Sequence, residues 1–527
     1  MHGFELVLVL LGAVTLIATL ARVAGIPYPL LMVVGGLILS LIPGVPRVEL
    51  DPEIVLVTFL PPILFAAAFF TSVREFWRNI RPISLLAVGL VIATTLAVAA
   101  VAMALVPAMG WPLALALGAI VSPTDPIAAT SIAQRLGLPR RIVNILEGEG
   151  LVNDATALVG YGLAVTALTT AAGFSVGGIA VEFARVVAVG IAVGVAAGVA
   201  AVMIERRLVD PPVEVLVSLL APYAAYLPAE AIGGSGVLAT VVAGLILGWA
   251  APRVMGSDTR VLGSGAWQMV IFIVNGLAFL LVGLQLPGVL AVASERPVAE
   301  LVGLAAAICA TVIAVRLVWV FPATYLPRLL VPGLARRDPA PPVATVIVVG
   351  WAGMRGAVSL AAALALPLTV GGGPLPERDL VLFLTFAVIL VTLLGQGLTL
   401  PRLIRTVGIG DDGSAVHEEV HARQAANAAA LTRLDGLVSE WPTHRELIDQ
   451  LRLRYEHADE HLTHDHDAEA AGVAPDQEAV EHRAIRQAVI DAQRLAILDL
   501  RDRGIVHDEA MRRVERDLDL EELQAEA

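Results

Sequence analysis

The sequence predicts an all-α polytopic membrane protein that ends in a soluble helical tail, and three observations carry this prediction. First, 57% of the 527 residues are hydrophobic and the mean hydropathy is +0.80, which is too apolar for a water-soluble chain of this length. Second, apolar runs of about 20 residues, the length that crosses a bilayer as a helix, recur from Phe4 to near residue 400. Third, the sequence after residue 407 is strongly charged. We therefore divide the chain into a membrane domain, 1–407, and a tail, 408–527.

The membrane domain divides into thirteen candidate transmembrane helices. The chain starts with MHGFELVLVL, which carries an acid where a secretory signal peptide has basic residues, so we expect the first helix to be retained. The candidate spans are 4–21, 27–43, 53–72, 82–106, 111–134, 142–170, 175–203, 213–229, 235–252, 267–287, 298–323, 342–368 and 379–400.

The placement of arginine predicts the orientation of these spans. All 35 basic residues are arginines. The odd-numbered connections and the start of the tail hold 16 of them, whereas the even-numbered connections hold only Arg47, Arg296 and Arg378. Because positive residues favour the cytoplasmic side, we predict an outside N-terminus and a cytoplasmic tail in the inner or plasma membrane.

Helix-breaking residues interrupt two of the spans at matching places. Thirteen spans divide into two sets of six joined by one linker helix. A single linker helix reverses the membrane orientation of the second set relative to the first, as in many secondary transporters. SPTDP (122–126) lies in the fifth span, and GWAGMRGAVS (350–359) lies in the fifth span of the second set. The pattern predicts six-helix inverted repeats with two unwound crossing helices around a midplane binding site.

The first interruption contains polar groups at membrane depth. Pro123 and Pro126 lack an N–H, so the carbonyls four residues before them lose their helical partners. Thr124 and Asp125 lie between the two prolines. Freed carbonyls beside a carboxylate favour a small hard cation, and the alternative is a proline kink with a hydrogen-bonded aspartate.

The sixth span carries three acids in the stretch EGEGLVND (147–154). Residues four apart share a helix face, so Asp154 projects over Gly150 and Asn153 over Glu149. We expect space for water or an ion above the glycine. A buried carboxylate binds either a proton or a cation, so Asp154 is the candidate exchange site; the alternative is a helix-packing hydrogen bond.

Glu149 needs a cationic partner if it stays charged at this depth. Arg355 lies in the twelfth span between two glycines, so we predict a structural Glu149–Arg355 ion pair. Arg316 is expected near the cytoplasmic interface.

Several motifs in one order resemble the monovalent cation:proton antiporter family, of the bacterial sodium/proton exchanger type. The resemblance implies a thirteen-helix fold with dimerisation helices and a six-helix transport core, a homodimer and an elevator-like motion. The motifs span the membrane domain and are FLPPILFAAAF (59–69), TDP (124–126), EGEGLVND (147–154), VNGLAFLLVGLQLP (274–287) and GWAGMRGAVSLAAALALP (350–367).

The resemblance also implies roles for individual residues. The family's ion-binding aspartate falls on Asp154 and its neighbouring asparagine on Asn153, while the unwound Thr-Asp falls on Thr124 and Asp125. Na⁺ is then expected at Asp154 and Asp125, with Li⁺ or K⁺ as other transported ions and H⁺ as the exchanged ion. The family's Glu–Arg pair falls on Glu149 and Arg355, in agreement with the pairing above.

The Asn-Asp pattern implies electroneutral exchange of one cation for one proton, in the service of pH homeostasis. No cofactor and no enzymatic reaction are implied.

The sequence departs from the family pattern at two positions. Gly150 stands where many relatives have a serine that helps to coordinate the ion, and Ala66 stands where some relatives carry an acid. A water can replace the serine hydroxyl if the pocket is polar and large enough. These departures leave the choice between sodium and potassium open.

Three other functions are weighed against sodium/proton exchange. A potassium/proton antiporter on the same fold fits the same residues. An intramembrane aspartyl protease would use Asp125 and Asp154 as a dyad, but neither of these aspartates stands in a GxGD motif. Against a passive channel, the sequence contains no carbonyl filter loop repeated by symmetry. A channel also does not need a titratable aspartate.

The tail is acidic, with 13 arginines against 28 acids in residues 411–527 of a chain whose net charge is −13. This charge disfavours nucleic acid as a partner. Helical apolar spacing continues through the tail, with a turn expected at GVAPD (472–476). HLTHDHD (461–467) can bind a metal or sense pH, although a solvated loop between helices is the favoured interpretation. The single cysteine, Cys309, excludes an internal disulfide.

Overall fold

A computed structural model describes residues 3–42, 52–169, 176–285, 296–370, 373–410, 414–470, 477–503, 514–515 and 517–522. The chain forms two compact units, Met1–Asp411 and Asp412–Ala527. The sequence prediction placed the same division four residues earlier, after residue 407.

The first unit is built almost entirely from helices, because most of its segments are long apolar runs without interior breakers. Its helices are α1 Gly3–Ala24, α2 Tyr28–Ser40, α3 Pro52–Phe70, α4 Val73–Arg78, α5 Ile80–Leu105, α6 Gly110–Val121, α7 Pro126–Arg135, α8 Arg140–Thr169, α9 Val176–Glu205, α10 Pro211–Ala231, α11 Gly236–Val254, α12 Ser257–Leu284, α13 Val298–Leu330, α14 Leu334–Arg337, α15 Val343–Trp351, α16 Ala357–Leu364 and α17 Arg378–Val407.

Over the described residues, each predicted span overlaps helix in this unit. Over the described ranges, ten helical segments are long and apolar enough to cross a membrane, and Tyr28–Ser40 and Leu56–Phe70 are shorter apolar helices. The count of thirteen spans and the inverted repeats stay predictions. One short antiparallel pair, β1 Thr369–Val370 with β2 Gly373–Pro374, departs from the all-α expectation.

Two segments are interrupted where the breakers predicted. The fifth candidate span ends as α6 at Val121 and resumes as α7 at Pro126, and the twelfth ends as α15 at Trp351 and resumes as α16 at Ala357. Two other helices contain a π-helical turn, Leu85–Leu90 in α5 and Val391–Gln396 in α17. Such turns leave backbone carbonyls with altered partners, and the indole N–H of Trp319 donates to the Leu85 carbonyl at 2.9 Å.

Two of the unit's apolar clusters join different sets of helices. One cluster joins α3 and α9–α12, and it includes Phe65, Ala201, Ala225, Leu247 and Trp267. The other joins α5, α6, α8, α13, α16 and α17, and it includes Val98, Leu117, Val312, Ala363 and Val381. Cys309, which is 5% exposed, belongs to the second cluster. The second cluster therefore packs α6 and α16, one half of each interrupted helix, against α5, α8, α13 and α17.

Residues of connections predicted to share one side of the membrane meet in the structure. Arg135 donates to the Gly25 carbonyl at 2.5 Å, and Arg81, Arg141 and Arg328 all pair with Asp338. Connections predicted for the other side also meet, at an Arg296–Glu377 pair of 2.7 Å. These contacts agree with the predicted alternation of the connections, while the assignment of the arginine-rich side to the cytoplasm stays a prediction.

The second unit contains three long helices, α18 Ser414–Glu440, α19 Arg445–Ala470 and α20 Gln477–Asp502. Arg452 on α19 pairs with Asp435 on α18 at 2.6 Å. HLTHDHD lies within α19, so the loop favoured for this stretch is wrong; an uninterrupted run without proline or glycine continues the helix. The turn expected at GVAPD lies outside the described residues.

Candidate functional site

The two interrupted helices cross and bond to each other at their breaks. The Asp125 N–H donates to the carbonyl of Met354 at 2.8 Å, and Nε of Arg355 donates to the carbonyl of Val121 at 3.1 Å. Each break therefore supplies the partner that the other lost when its helix stopped. Ala119, whose carbonyl we expected to be free, accepts the hydroxyl of Ser122 at 3.0 Å.

Asp125 is held tightly between the breaks. Its Oδ1 accepts the N–H of Ile127 at 2.9 Å, so the side chain caps α7. On the other side it lies against Gly356, where a Cβ would come within 1.9 Å of Oδ2. Only a residue without a side chain fits there, which explains the glycine that follows Arg355.

Thr124 and Asn153 connect the first break to α8. The Nδ2 of Asn153 donates to the Thr124 carbonyl at 3.0 Å and to its Oγ1 at 2.9 Å. The Thr124 hydroxyl in turn donates to Oε1 of Glu149 at 2.8 Å. A hydroxyl oxygen has two lone pairs, so Thr124 keeps one for another partner. Asn153 acts on the site through Thr124.

The cationic partner of Glu149 is Arg316, and the predicted Glu149–Arg355 ion pair is wrong. Arg316 donates from Nη1 to Oε1 of Glu149 at 2.5 Å and from Nη2 to Oε2 at 2.9 Å. This two-pronged geometry suits a guanidinium and a carboxylate. Arg316 also donates to the Val349 carbonyl, at 3.1 Å from Nη2. It is 0% exposed, so it lies inside the helix bundle, while its expected depth near the cytoplasmic interface stays a prediction.

Arg355 instead holds the unwound segment together. Besides Val121 it donates from Nη1 to the carbonyl of Gly353, and its N–H donates to the hydroxyl of Thr392 at 3.1 Å. The charge of Glu149 still acts on Arg355. The prediction failed because sequence spacing does not show that the Arg316 side chain packs against Gly353. A Cβ at Gly353 would lie 2.3 Å from Cδ of Arg316.

Asp154 lies in a cavity of about 610 Å³ that is lined by α2, α3 and α12 and by the two breaks with α7, α8 and α16. The residue is 7% exposed, and no described residue makes a hydrogen bond to its carboxylate. Its charge interacts with that of Asp125 across the same cavity. The polar residues that line the cavity are Tyr28, Thr71, Thr124, Asp125, Thr130, Ser131, Gln134, Glu147, Asp154, Asn275 and Ser359.

Gly150 is a packing position rather than a vacant ligand position. A Cβ on Gly150 would lie 2.4 Å from Cγ and 2.6 Å from Cδ of Pro126. The proline ring therefore fills the position that a side chain at residue 150 would take, while Gly150 itself lines the cavity that holds Asp154. The absence of the family's serine lets α8 approach the start of α7 closely.

The sequence analysis missed Asn275 as a site residue. Asn275 lies on α12, is 1% exposed and lines the cavity. Neither Oδ1 nor Nδ2 has a partner in strict hydrogen-bond geometry within the described residues, although the side chain interacts with the Tyr28 hydroxyl. Asn275 stands in the quoted motif VNGLAFLLVGLQLP, and an amide at membrane depth was the available signal. Its amide oxygen is a further potential cation ligand, and it comes from α12, across the cavity from the two breaks.

The geometry of two crossed broken helices beside a carboxylate cavity agrees with what sequence comparison finds. The family described as sodium/hydrogen exchanger, transmembrane, matches residues 9–406. The chain belongs to the sodium/hydrogen exchanger family. This confirms the resemblance inferred from the motifs, and it gives no support to the aspartyl protease alternative.

Relatives of this sodium/hydrogen exchanger family member match most of its length. A Mycobacterium tuberculosis protein described as an uncharacterized Na⁺/H⁺ exchanger is 35% identical over 526 residues, 99% of this chain and 96% of the relative. The Na⁺/H⁺ antiporter ApNhaP of Aphanothece halophytica is 32% identical, over 83% of this chain and 81% of the relative. A sodium, potassium, lithium and rubidium/H⁺ antiporter of Bacillus pumilus is 33% identical, over 76% and 61%.

A solved structure shares the fold of this family member. The sodium proton antiporter MjNhaP1 of Methanocaldococcus jannaschii matches with a TM-score of 0.58, covering 77% of this chain and 98% of that one at 19% identity. The match supports the helical membrane fold.

Proposed function

We propose that the protein exchanges Na⁺, and also Li⁺, for H⁺ across the membrane in a one-to-one ratio, with cation and proton competing for Asp154. One contrast between buried carboxylates carries this proposal. Glu149 is compensated by Arg316 and Thr124, whereas Asp154 lies in the cavity with no hydrogen bond from a described residue. A buried carboxylate without a partner must take up a proton or a cation.

The neighbours of Asp154 suit a small hard cation. Oxygen ligands within reach of one cavity are the carboxylates of Asp154 and Asp125 and the remaining lone pair of Thr124. Asn153 and the Glu149–Arg316 pair fix Thr124 in place and contribute no net charge to the cavity. Since one carboxylate releases a proton when it takes a cation, the exchange is electroneutral, provided that Asp125 keeps one protonation state.

Alternating access needs the crossing to move relative to the facing helices. The breaks are bonded to each other, and the cavity lies between them and parts of α3 and α12, although α16 also packs against both helices. We expect the bundle around the crossing to move as one body, in an elevator-like motion. We also expect the protein to work as a homodimer.

The test is the pH dependence of cation affinity in proteoliposomes with an internal pH-sensitive dye. Competition for Asp154 predicts that a tenfold rise in proton concentration raises the apparent KM for Na⁺ by up to about tenfold at an unchanged maximal rate. A KM independent of pH would contradict competition. Responses to Li⁺ and K⁺ identify the cation, and a larger kcat/KM for K⁺ would favour a potassium/proton antiporter. An imposed membrane potential leaves a one-to-one exchanger unchanged.

Gly356→Ala should reduce exchange strongly although it removes no polar group. The added Cβ would lie 1.9 Å from Oδ2 of Asp125, and the φ of −128° at this position is open to alanine. We expect the carboxylate to be displaced and the rate to fall by about 100-fold, as a shift of about 1 Å can cause.

The matched control for this variant is Gly160→Ala on α8. A Cβ at Gly160 meets only Cβ of Ala119, at an ordinary 3.9 Å, and we expect at most a small change in rate. Equal rates for the two variants in the dye assay would remove Asp125 from the transport site.

A further inference from the structure

Three arginines converge on one carboxylate at one end of α5, α8 and α13. Arg141 donates to Oδ1 of Asp338 at 2.6 Å and Arg328 to Oδ2 at 2.9 Å, while Arg81 also donates to Oδ2. The three arginines come from three separate connections, after the third, fifth and eleventh candidate spans. The fold therefore gathers charges that lie far apart in the sequence.

This cluster carries more positive than negative charge. Burial would raise the pKa of Asp338, but the hydrogen bond from Arg141 and the charges of Arg141, Arg328 and Arg81 hold it below the usual value. Asp338 is thus ionised at neutral pH and neutralises one of the three guanidinium groups. The Nη1 of Arg81 is buried without a hydrogen-bond partner in the described structure. The cluster lacks an anion.

Beside the cluster lies a cleft with an apolar floor. It is formed by α5, α8, α13 and α15, and Arg81, Arg141 and Arg328 stand at its edge. Its volume of about 70 Å³ is much smaller than that of the aspartate cavity, so it admits a fragment of a larger molecule. The floor is formed mainly by Leu86, Ile142, Ile145, Val320 and Val346.

We propose that this cleft binds an anionic phospholipid, whose phosphate bonds to Arg81 and Arg141 while the start of an acyl chain enters the apolar floor. A guanidinium matches phosphate oxygens in paired hydrogen bonds. The arginines belong to connections predicted to be cytoplasmic, and basic pockets between helices on that side bind acidic headgroups. The apolar floor favours a lipid over free phosphate.

The cleft is also connected to the transport site. Val349, which lines it, accepts hydrogen bonds from Arg316 through its carbonyl, and Arg316 pairs with Glu149. A lipid that fixes α15 at Val349 would steady Arg316 and thereby the network around Thr124. We therefore expect the lipid to activate exchange, an expectation that rests on the proposed function, whereas lipid binding itself does not.

The test measures lipid retention on the detergent-solubilised full chain by native mass spectrometry. The probes are phosphatidylglycerol, phosphatidylcholine and inorganic phosphate. Arg81→Gln/Arg141→Gln should lower retention of phosphatidylglycerol by about tenfold or more. The matched control, Arg336→Gln/Arg337→Gln, removes the same charge from exposed residues of α14 that do not line the cleft, and it should retain the lipid.

A second variant separates the site from a folding defect. Ile145→Trp fills the cleft and keeps every charge, so it too should lose phosphatidylglycerol. Equal retention of phosphatidylglycerol by the two double variants, or full retention by Ile145→Trp, would overturn the proposal. Binding of phosphatidylcholine or inorganic phosphate with the same affinity as phosphatidylglycerol would overturn it too. Lipid selectivity without any cation-driven exchange would overturn the proposed function and leave the lipid site standing.

Discussion

Asp154→Asn should abolish cation-driven proton movement in proteoliposomes. The carboxylate lies in the 610 Å³ cavity without a hydrogen bond from a described residue, so its only compensation is the proton or cation that it carries. Asparagine is nearly the same size but neither titrates nor neutralises a cation. We therefore expect the dye response to Na⁺, Li⁺ and K⁺ to fall to the level of empty liposomes while the protein stays folded.

Glu147→Gln is the matched control for that variant. Glu147 lies two turns earlier on α8 and lines the same cavity, so it tests whether any acid in this place is needed. We expect Glu147→Gln to keep at least about half of the wild-type rate, since no network of the site depends on it. Exchange that survives in Asp154→Asn at a wild-type rate would move the exchange site to another residue, with Asp125 the next to test.

Arg316→Met should cause the largest loss of stability among the charged residues of the membrane unit. Arg316 is 0% and Glu149 1% exposed, and removing one partner of a buried ion pair costs about 3–5 kcal/mol because the other charge is left uncompensated. We expect Arg355 to replace Arg316 poorly, since its Nε and Nη1 are already bonded to the carbonyls of Val121 and Gly353 and its Nη2 alone has no partner among the described residues. The thermal unfolding midpoint in detergent measures the effect.

The double variant Glu149→Gln/Arg316→Met tests the cause of that loss. Removing both charges should recover much of the stability, because replacing a buried pair by neutral groups is often nearly neutral. Arg296→Met is the control: its pairs with Glu300 and Glu377 are partly exposed, and such pairs contribute about 0–1 kcal/mol. A midpoint for Arg316→Met that equals that of Arg296→Met would contradict a structural role for the Glu149–Arg316 pair.

Much of the membrane fold could be predicted because hydropathy and helix breakers act locally. The helices agree with the apolar runs, and the breaks at 122–125 and 352–356 lie at the proline- and glycine-rich motifs. Asp154 and Asp125 could be singled out because acids at membrane depth are rare. Boundaries in polar flanks were less accurate: α12 begins at Ser257, ten residues before the predicted span, because a helix continues beyond the apolar core into water.

The predictions that failed concern side-chain contacts between helices that are distant in the sequence. The choice of Arg355 over Arg316 as the partner of Glu149 rested on the mid-span position of Arg355 between two glycines, whereas the outcome depends on the absence of a side chain at Gly353. The position of a side chain at residue 150 is likewise occupied by a proline from another helix, although Gly150 lines the cavity. Neither contact leaves a periodic signal, since each joins residues that are 24 to 37 positions apart in the chain.

The buried position of Cys309 makes the natural chain a near-ideal background for thiol labelling. With its one sulfhydryl packed inside a helix bundle, a water-soluble maleimide has no accessible target in the native protein. A cysteine placed at Ser131 or Gln134, which line the cavity, then becomes the single reactive group. Labelling from only one side of a sealed vesicle reports the direction in which the cavity opens. The change in labelling rate with added Na⁺ or Li⁺ reports how the cation redistributes the protein between its two orientations.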